Sequence, residues 1–205
     1  RMFQVAGRNF YTRYDGWQVH GDNVLRVEEP RPEKMKHVKL DGLITDQKNV
    51  SLLMRFADCV PILLFDRVKN VVGLVHAGWK GTVFQIAGKA VLRMQIEYGT
   101  NPEDVLAGIG PSIGPGDYEV GVEVIQAVRE SFGQGADNLL HQQQGSFYFD
   151  LWKANETVLL NVGVKKVEIA GISTYTHVED WFSHRKENGK TGRFGAVIAL
   201  SENGS

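Results

Sequence analysis

Two apolar runs stand out in the hydrophobic pattern of the chain and predict a buried pair of β-strands. Residues 60–65 and 71–75 are apolar at nearly every position, which is typical of strands that are covered on both faces. Only five residues, 66–70, separate the two runs, whereas a parallel crossover needs about a dozen or more. The two strands are therefore predicted to pair as an antiparallel hairpin.

The pattern changes to helical spacing directly after this hairpin. Apolar residues then repeat three and four positions apart, with Thr82 placed to cap the start of the helix and Gly99 placed to end it. Asp150 is predicted to cap a later helix. The remaining predicted elements are helices over 122–132 and 151–161 and strands over 23–27, 43–45, 50–55, 105–109, 147–149, 167–172 and 194–200.

The order of these elements favours an α+β fold. Strands and helices mix without a regular strand–helix–strand alternation, so a layered α/β sandwich with mixed sheets around a central antiparallel hairpin is favoured over a doubly wound fold. The 205 residues correspond to one large domain, and no repeat divides them. The charged segment 28–39, which contains two prolines, is predicted to be a surface loop.

Composition restricts the classes of partner. A formal net charge of −1 gives no global electrostatic basis for binding nucleic acid or an anionic membrane. No apolar run approaches the roughly 18 residues that cross a bilayer, and the first residues lack the apolar region of a signal peptide. A single cysteine cannot form an intrachain disulfide, so a cytoplasmic location is expected. Monomer and homodimer both stay open.

The single cysteine, Cys59, lies at one end of the hairpin, and His76 lies at the other end. If the turn is centred between Arg67 and Val68, the two residues are directly opposed, with Cβ atoms roughly 5 Å apart. They could then be core residues, a nucleophile–base pair or two ligands of a metal ion. The glycine-rich turn AGWKG after His76 favours a functional site, because it offers free N–H groups to a ligand.

Four blocks of sequence resemble one known family. They are ADCVPILLFD, VGLVHAGWKGTV, GIGPSIGPGDYEVGVEV and WFSHRKENGKTGRFGAVIAL. In order and spacing they resemble the YfiH family, whose members are described as laccase-domain or polyphenol oxidoreductases and are similar in fold to toxin-type cysteine hydrolases. The resemblance runs from about Gln18 to the C-terminus. It implies a single YfiH-like domain over 1–205 whose N-terminal part is incomplete.

The resemblance implies a zinc-dependent enzyme acting on purine nucleosides. The implied activities are phosphorolysis of adenosine, inosine, guanosine and methylthioadenosine, and deamination of adenosine. The family's metal ligands carry over to His20 of QVHG, Cys59 of ADC and His76 of HAGW. Three nitrogen and sulfur ligands fit a catalytic zinc with an open fourth position, and zinc would hold Cys59 as a thiolate.

This chemistry also needs a proton carrier and a site for phosphate. The HxE motif of known zinc deaminases is absent beside the ligands, so Asp58 is the predicted acid or base, next to the catalytic Cys59 and His76. The candidate phosphate ligands are the cationic residues Arg55, Lys80, Arg185 and Arg193. The candidate contacts to the nucleoside are Trp79, Tyr118, Phe182 and Glu119. Each of these is otherwise an ordinary surface charge or core aromatic.

Three other functions stay open on the residues alone. Two histidines and a cysteine are also a blue-copper ligand set, so copper-dependent polyphenol oxidation is compatible with the same ligands. The six histidines, however, contain none of the HxH pairs expected of a trinuclear copper cluster. A metal-free hydrolase would use Cys59 and His76 as nucleophile and base. A partner-binding domain without catalysis is the third alternative.

Overall fold

A six-stranded mixed sheet organises residues 9–200, the part of the chain that the computed structural model describes. Two three-stranded sheets and four α-helices complete this part of the chain. The strands are β1 (Arg13–Tyr14), β2 (Val24–Arg26), β3 (Gly42–Thr45), β4 (Ser51–Phe56), β5 (Val60–Asp66), β6 (Val71–Ala77), β7 (Val105–Ile109), β8 (Glu119–Val120), β9 (Leu140–Gln143), β10 (Ser146–Phe149), β11 (Lys166–Ile169) and β12 (Phe194–Ala199). The helices are α1 (Trp79–Val83), α2 (Ile86–Tyr98), α3 (Val122–Phe132) and α4 (Leu151–Asn161).

The strand order of the large sheet places the predicted hairpin at its centre. The order is β11-β7-β5-β6-β3-β2, in which β5 pairs antiparallel with β6. The smaller sheets have the orders β1-β4-β12 and β8-β10-β9. These mixed sheets and the central antiparallel hairpin confirm the predicted α+β class. No helix in the described range is both long enough and apolar enough to cross a bilayer.

The two faces of the hairpin pack into separate core clusters. Ile62 and Val75 pack with the helices on one face, whereas Leu74 packs with Phe56 of the β1-β4-β12 sheet on the other. Because successive side chains of a strand point to opposite faces, both faces of β5 and β6 must be apolar. This double burial explains the continuous apolar runs in the sequence.

The hairpin forms as predicted, but its predicted register is wrong by two residues. Pro61, and not Cys59, pairs with His76. The turn is centred one residue later than predicted because the Asp66 carboxylate accepts two hydrogen bonds at 2.9 Å from N–H groups of the loop. A shift of two residues preserves the face of each side chain. Cys59 and His76 therefore lie on the same side of the hairpin, although they are not directly opposed.

The single helix predicted after the hairpin is in fact two helices, α1 and α2. Gln85, with a φ of 57°, separates them. Thr82 lies buried inside α1 and accepts a hydrogen bond from Asn155 of α4 at 3.0 Å, so its predicted role as N-cap is wrong. Gly99 ends α2 in a left-handed conformation as predicted. Asp150 caps α4 as predicted, by accepting a hydrogen bond from a backbone N–H at 2.8 Å.

The other predicted strands are present, with ends that differ by at most three residues from those predicted. Strands β1, β8 and β9 were not predicted from the pattern, since they are short or largely polar. Segment 28–39 is a loop without strand or α-helix, as predicted. Its one deeply buried charged residue, Arg31, pairs with Asp15 at 2.7 Å and fixes the loop to the domain.

Candidate metal centre

Three side chains meet at the open end of the central hairpin: His20, Cys59 and His76. Their candidate ligand atoms all lie within 4.8 Å of one another. His76 belongs to β6, Cys59 directly precedes β5, and His20 comes from the connection between β1 and β2. The imidazole rings of His20 and His76 meet edge to face, with centroids 4.9 Å apart. The structure thus brings together the three predicted ligands, in the one such group found within residues 9–200.

A fully buried carboxylate, Asp41, supports two of these residues. It accepts a hydrogen bond from Nδ1 of His76 at 2.7 Å. This leaves Nε2 as the ring nitrogen that can bind a metal ion. The same carboxylate accepts hydrogen bonds from three consecutive backbone N–H groups of the QVHG turn, at 2.7 to 3.2 Å. One acidic side chain therefore connects the turn that carries His20 to the strand that carries His76.

Gln18 holds the other end of the same turn. Its side-chain amide donates to the backbone carbonyl of Arg55 at 2.8 Å and accepts from the N–H of Arg55 at 2.9 Å. The amide thus forms the two hydrogen bonds that a neighbouring strand would otherwise form with Arg55 near the end of β4. Because of these bonds, His20 is fixed with a φ of 59°, a left-handed conformation that is uncommon outside glycine. The turn is anchored at both ends although His20 itself is exposed.

Gly78 provides the space in which the candidate ligands approach each other. A Cβ atom at position 78 would lie 3.1 Å from Sγ of Cys59 and 3.0 Å from Cδ2 of His20. Its φ of −73° is accessible to any residue. The requirement for glycine here is therefore steric, and it explains one small residue of the AGWKG turn.

Both histidines change the ionisation of Cys59 in the metal-free protein. Burial raises the pKa of the thiol, but the charges and hydrogen bonds of His76 and His20 outweigh burial and lower it from 9.0 to about 6. Burial lowers the pKa of His76, but the Cys59 thiolate and the Asp41 carboxylate outweigh it and raise the pKa to about 9. A thiolate beside an imidazolium is therefore expected at neutral pH. This pair suits both a metal ligand and a nucleophile.

A cavity of about 690 Å³ opens beside this centre. One part of its lining is aromatic or aliphatic and consists of Trp17, Ala57, Trp79, Ile113, Tyr118 and Leu151. Another part is cationic or titratable and consists of Arg55, His184, Arg185 and Arg193. We call the first set of residues the aromatic wall and the second set the cationic wall. Together with the His–Cys–His group, they suit a ligand with an aromatic ring that reacts with an anion.

The three predicted arginines in this lining differ in their contacts. Arg55 pairs with the buried Asp15 at 3.1 Å. The Arg185 guanidinium lies over the ring of Tyr118, 5.1 Å from its centroid. Arg193 donates only to backbone carbonyls of its own loop, and no carboxylate among residues 9–200 lies within 4 Å of it. Arg185 also donates to the backbone carbonyl of Glu119 at 2.8 Å, and among the described residues neither Arg185 nor Arg193 is paired with a carboxylate. Both are therefore available to bind an anion.

Asp58 lines the cavity, but both of its carboxylate oxygens accept hydrogen bonds. The donors are the hydroxyl of Thr174 at 2.7 Å and the backbone N–H of Arg185 at 2.6 Å. Asp58 has a φ of 76°, so its backbone is also held in an uncommon conformation. This carboxylate fixes the C-terminal loop next to Cys59. Its predicted role as acid or base stays a prediction.

Three predicted substrate-binding residues lie outside the cavity lining. Lys80 lies over the ring of Trp79 and faces a separate groove. Glu119 is exposed and accepts a hydrogen bond from Ser146 at 2.7 Å. Phe182 is exposed and would contact any side chain placed at Gly192. Substrate contacts by Lys80, Glu119 and Phe182 stay predictions that rest on the chemistry of these side chains.

Residues important to the site were also missed in the sequence. Asp15 and Asp41 are both buried acids, with 2% and 0% exposure, that neutralise or orient residues around the cavity. A usable signal was present, since Asp41 stands between Leu40 and a run of apolar residues, where a carboxylate requires a partner. Nothing in the local pattern indicated that Leu151 would line the cavity.

The fold and the site together define an α+β domain with a His–Cys–His centre beside a cavity that is both aromatic and cationic. The family model described as multi-copper polyphenol oxidoreductase laccase matches residues 3–201. The chain belongs to this family. The resemblance to YfiH proteins noted in the sequence is thereby confirmed.

Two similar proteins have names that refer to one activity, and one solved structure has a similar fold. The purine nucleoside phosphorylase of Bacteroides thetaiotaomicron is 39% identical over 192 residues, which cover 92% of this chain and 71% of that protein. The purine nucleoside phosphorylase YfiH of Escherichia coli is 32% identical over 185 residues, covering 89% of this chain and 72% of that protein. The crystal structure of YlmD from Geobacillus stearothermophilus is 32% identical, with a TM-score of 0.92, and the match covers 98% of this chain and 78% of that one.

Replacement of Gly78 by alanine should weaken metal binding with little loss of stability. The added methyl group would press on Cys59 and His20 and separate the candidate ligands, while the backbone at position 78 accepts alanine without strain. We expect zinc affinity, measured by competition with a chelator, to fall by about 10-fold or more. Gly116→Ala, at an exposed position with open space around the missing Cβ, is the matched control. Unchanged affinity in Gly78→Ala would contradict the steric argument.

The thiolate of the metal-free protein should form with a midpoint near pH 6. Below that pH Cys59 is protonated, and above it the thiolate is stabilised by His76 and His20. The ultraviolet absorbance of the thiolate, followed during a pH titration, measures the midpoint, with Cys59→Ser as the blank. His76→Asn should move the midpoint up toward the ordinary value of 9.0, because the largest favourable charge is lost. A midpoint above pH 8 in the unsubstituted protein would contradict the assignment.

Proposed function

We propose that this protein is a zinc-dependent purine nucleoside phosphorylase. Its substrates would be adenosine, inosine, guanosine and methylthioadenosine, which it would cleave with phosphate to the free base and a sugar 1-phosphate. Hydrolytic deamination of adenosine is proposed as a second activity. The observation that carries the proposal is the cavity, because it combines an aromatic wall, a cationic wall and the His–Cys–His group. The similar proteins of Bacteroides thetaiotaomicron and Escherichia coli are named purine nucleoside phosphorylases, which supports the phosphorylase part of the proposal.

The aromatic wall suits the purine base. Trp79 and Tyr118 present flat apolar surfaces on which a base can stack. Tyr118 is held in place by the Arg185 guanidinium over its ring. Burial raises the pKa of Tyr118 well above its ordinary value, so its hydroxyl stays a neutral donor at physiological pH. Ile113 and Leu151 belong to the same wall and reduce the access of water to the base.

The cationic wall suits phosphate. Arg193 has no carboxylate partner among residues 9–200, so its guanidinium can form a bidentate pair with a phosphate ion. Arg55 lines the same cavity but is already paired with Asp15. Breaking the N-glycosidic bond leaves positive charge on the sugar, and a phosphate held near that carbon would stabilise the charge and then bind to it. In this proposal Arg193 and Arg185, neither of which is paired with a carboxylate among the described residues, bind phosphate, and Arg55 contributes long-range attraction.

Zinc is the metal that we propose for the centre. His20, Cys59 and His76 would hold it, since two imidazoles and a thiolate form a typical catalytic zinc set with one position free. A zinc ion at this position would supply Lewis-acid polarisation of the substrate. Copper is the alternative ion, because the same set occurs in blue-copper proteins. Asp41 orients His76 by accepting a hydrogen bond from Nδ1, and a carboxylate in this position is common beside zinc-bound histidines.

Asp58 remains the proposed proton carrier for deamination. It lies next to Cys59 and lines the cavity. Thr174 and the Arg185 N–H each donate to one of its two oxygens, which leaves a second acceptor position on each oxygen for a proton. A cytoplasmic location is proposed with this function, since a single cysteine kept as a thiolate suits a reducing compartment.

Polyphenol oxidation is the second candidate, because the family model carries that description. The His–Cys–His group could hold one copper ion. Laccase chemistry also requires a trinuclear cluster built from several more histidines. Within the described range, however, His20, Cys59 and His76 are the only group of three metal-capable side chains. The arrangement therefore favours the nucleoside enzyme.

Addition of phosphate should increase release of free base from inosine and adenosine by the zinc-loaded protein. Product analysis with and without phosphate, with ribose 1-phosphate as the diagnostic product, measures this directly. Cys59→Ser should lose zinc and activity together, because one of three ligands is removed. Base release that is independent of phosphate would contradict phosphorolysis. Full activity in metal-free protein would favour a Cys–His hydrolase. Activity only with copper and a phenol would favour a laccase. No turnover by zinc-loaded protein would favour a binding domain without catalysis.

Arg193→Ala should raise the KM for phosphate by about 10-fold or more and change the KM for nucleoside much less. The reason is the loss of a charge-assisted bond to the anion, whereas the aromatic wall stays intact. The KM of Arg193→Lys for phosphate should lie between those of the unsubstituted protein and Arg193→Ala, because lysine keeps the charge but cannot form the bidentate pair. Arg129→Ala is the control, since it removes an exposed arginine from α3, away from the cavity. Equal changes in both KM values would contradict the assigned role.

A further inference from the structure

The Asp41 carboxylate has an unusual number of hydrogen-bond donors for a fully buried side chain. Oδ1 accepts from Nδ1 of His76 at 2.7 Å and from the backbone N–H of His20 at 3.0 Å. Oδ2 accepts from the N–H of Gly21 at 2.7 Å and from that of Val19 at 3.2 Å. Each oxygen therefore binds two donors, and Oδ1 alone joins the two histidines.

The backbone of Asp41 is hydrogen-bonded on both sides, to His76 of β6 and to Asn23, which directly precedes β2. Its carbonyl accepts a hydrogen bond from the backbone N–H of His76 at 2.7 Å, and its N–H donates to the carbonyl of Asn23 at 3.1 Å. Asp41 directly precedes β3, which pairs antiparallel with β6. The carboxylate is therefore anchored to the central sheet, and it transmits that fixed position outward to an exposed turn.

We propose that Asp41 builds the metal centre before any metal binds, by fixing the QVHG turn and the His76 imidazole to each other as one rigid unit. Asp41 is thus a positioning residue, since it touches neither a substrate nor a metal ion. The inference rests on the proposed metal binding by His20, Cys59 and His76. It does not depend on which reaction the loaded protein performs.

The chemistry of the four donors explains why a carboxylate is required. An asparagine at position 41 has one acceptor oxygen and one NH₂ group. If its NH₂ group replaces Oδ2, it faces the N–H groups of Val19 and Gly21. If it replaces Oδ1, it faces the N–H of His20 and Nδ1 of His76. Either orientation opposes donor to donor, and the second orientation favours the tautomer in which the metal-binding nitrogen Nε2 carries the proton.

The first test uses the unsubstituted, metal-free protein and amide hydrogen exchange. The side chains of Val19 and His20 are exposed, so fast exchange would be the ordinary expectation for this turn. Bonds to a buried carboxylate should instead slow the exchange of the Val19, His20 and Gly21 amides by at least about 100-fold relative to an unstructured chain. Exchange at the unstructured rate would show that the turn is not ordered before metal binds, and would overturn the proposal.

The second test compares two buried aspartates of the same sheet. Asp41→Asn should lower zinc affinity about 10- to 100-fold. In the metal-free protein above pH 9, where the His76 imidazole is neutral, it should also move the nitrogen NMR signals of His76 toward the other tautomer. Asp66→Asn is the matched control, because Asp66 is equally buried but accepts its backbone bonds at the far end of the hairpin. It should leave zinc affinity and the His76 signals unchanged. Unchanged zinc affinity in a folded Asp41→Asn protein would overturn the proposal.

These tests separate the inference from the proposed reaction. If the three amides are protected and Asp41→Asn weakens zinc binding, the role of Asp41 holds even when no nucleoside is cleaved. If the unsubstituted protein cleaves nucleosides but the three amides are unprotected, the role of Asp41 is wrong and the reaction stands. If Asp41→Asn does not fold, the exchange measurement on the unsubstituted protein decides by itself.

Discussion

The antiparallel pairing of β5 with β6 is the interaction on which the rest of the structure depends. The two strands occupy the centre of the six-stranded sheet, and they are almost entirely buried between the helices and the β1-β4-β12 sheet. An interior of this kind accepts few polar groups, because each one needs a partner in place of water. Chemistry is therefore confined to the ends of the hairpin. Cys59 directly precedes β5 and His76 lies near the end of β6, at the same end of the hairpin. The QVHG turn, which is not part of the hairpin, contributes His20 as the third side chain.

Placing titratable groups at that end creates an electrostatic requirement. His76 is only 3% exposed, and its charge and its tautomer both need a fixed partner. Asp41 meets this requirement from the position directly before β3, the strand paired with β6. Its own pKa is lowered, because the hydrogen bonds from His76 and Gly21 outweigh the effect of burial, which alone would raise it. The carboxylate thus stays ionised and serves both the histidine and the exposed turn. Fold and site are linked through this single buried charge.

Much of this architecture could be predicted from local features of the sequence. The two apolar runs and their short separation predicted the hairpin, and the parity of strand positions placed Cys59 and His76 on one face even though the register was wrong. The register depended on the Asp66 carboxylate, whose bonds to its own loop moved the turn by one residue. His20 was found only through the family resemblance. Asp41 could not be assigned, because its donors come from positions 19–21 and 76, and no short window of sequence contains them.

The two walls of the cavity bear on the choice between the candidate reactions. A phenol could stack on Trp79 and Tyr118 and reach a copper ion at the centre, but it would leave Arg193 without an anionic partner among the described residues. A cation beside an oxidising centre would also disfavour the positive charge that forms when a phenol loses an electron. A nucleoside with phosphate uses both walls at once, since the base needs a flat apolar surface and the attacking anion needs an unpaired guanidinium. The arrangement of charge around the cavity therefore favours group transfer to an anion over oxidation of a neutral ring.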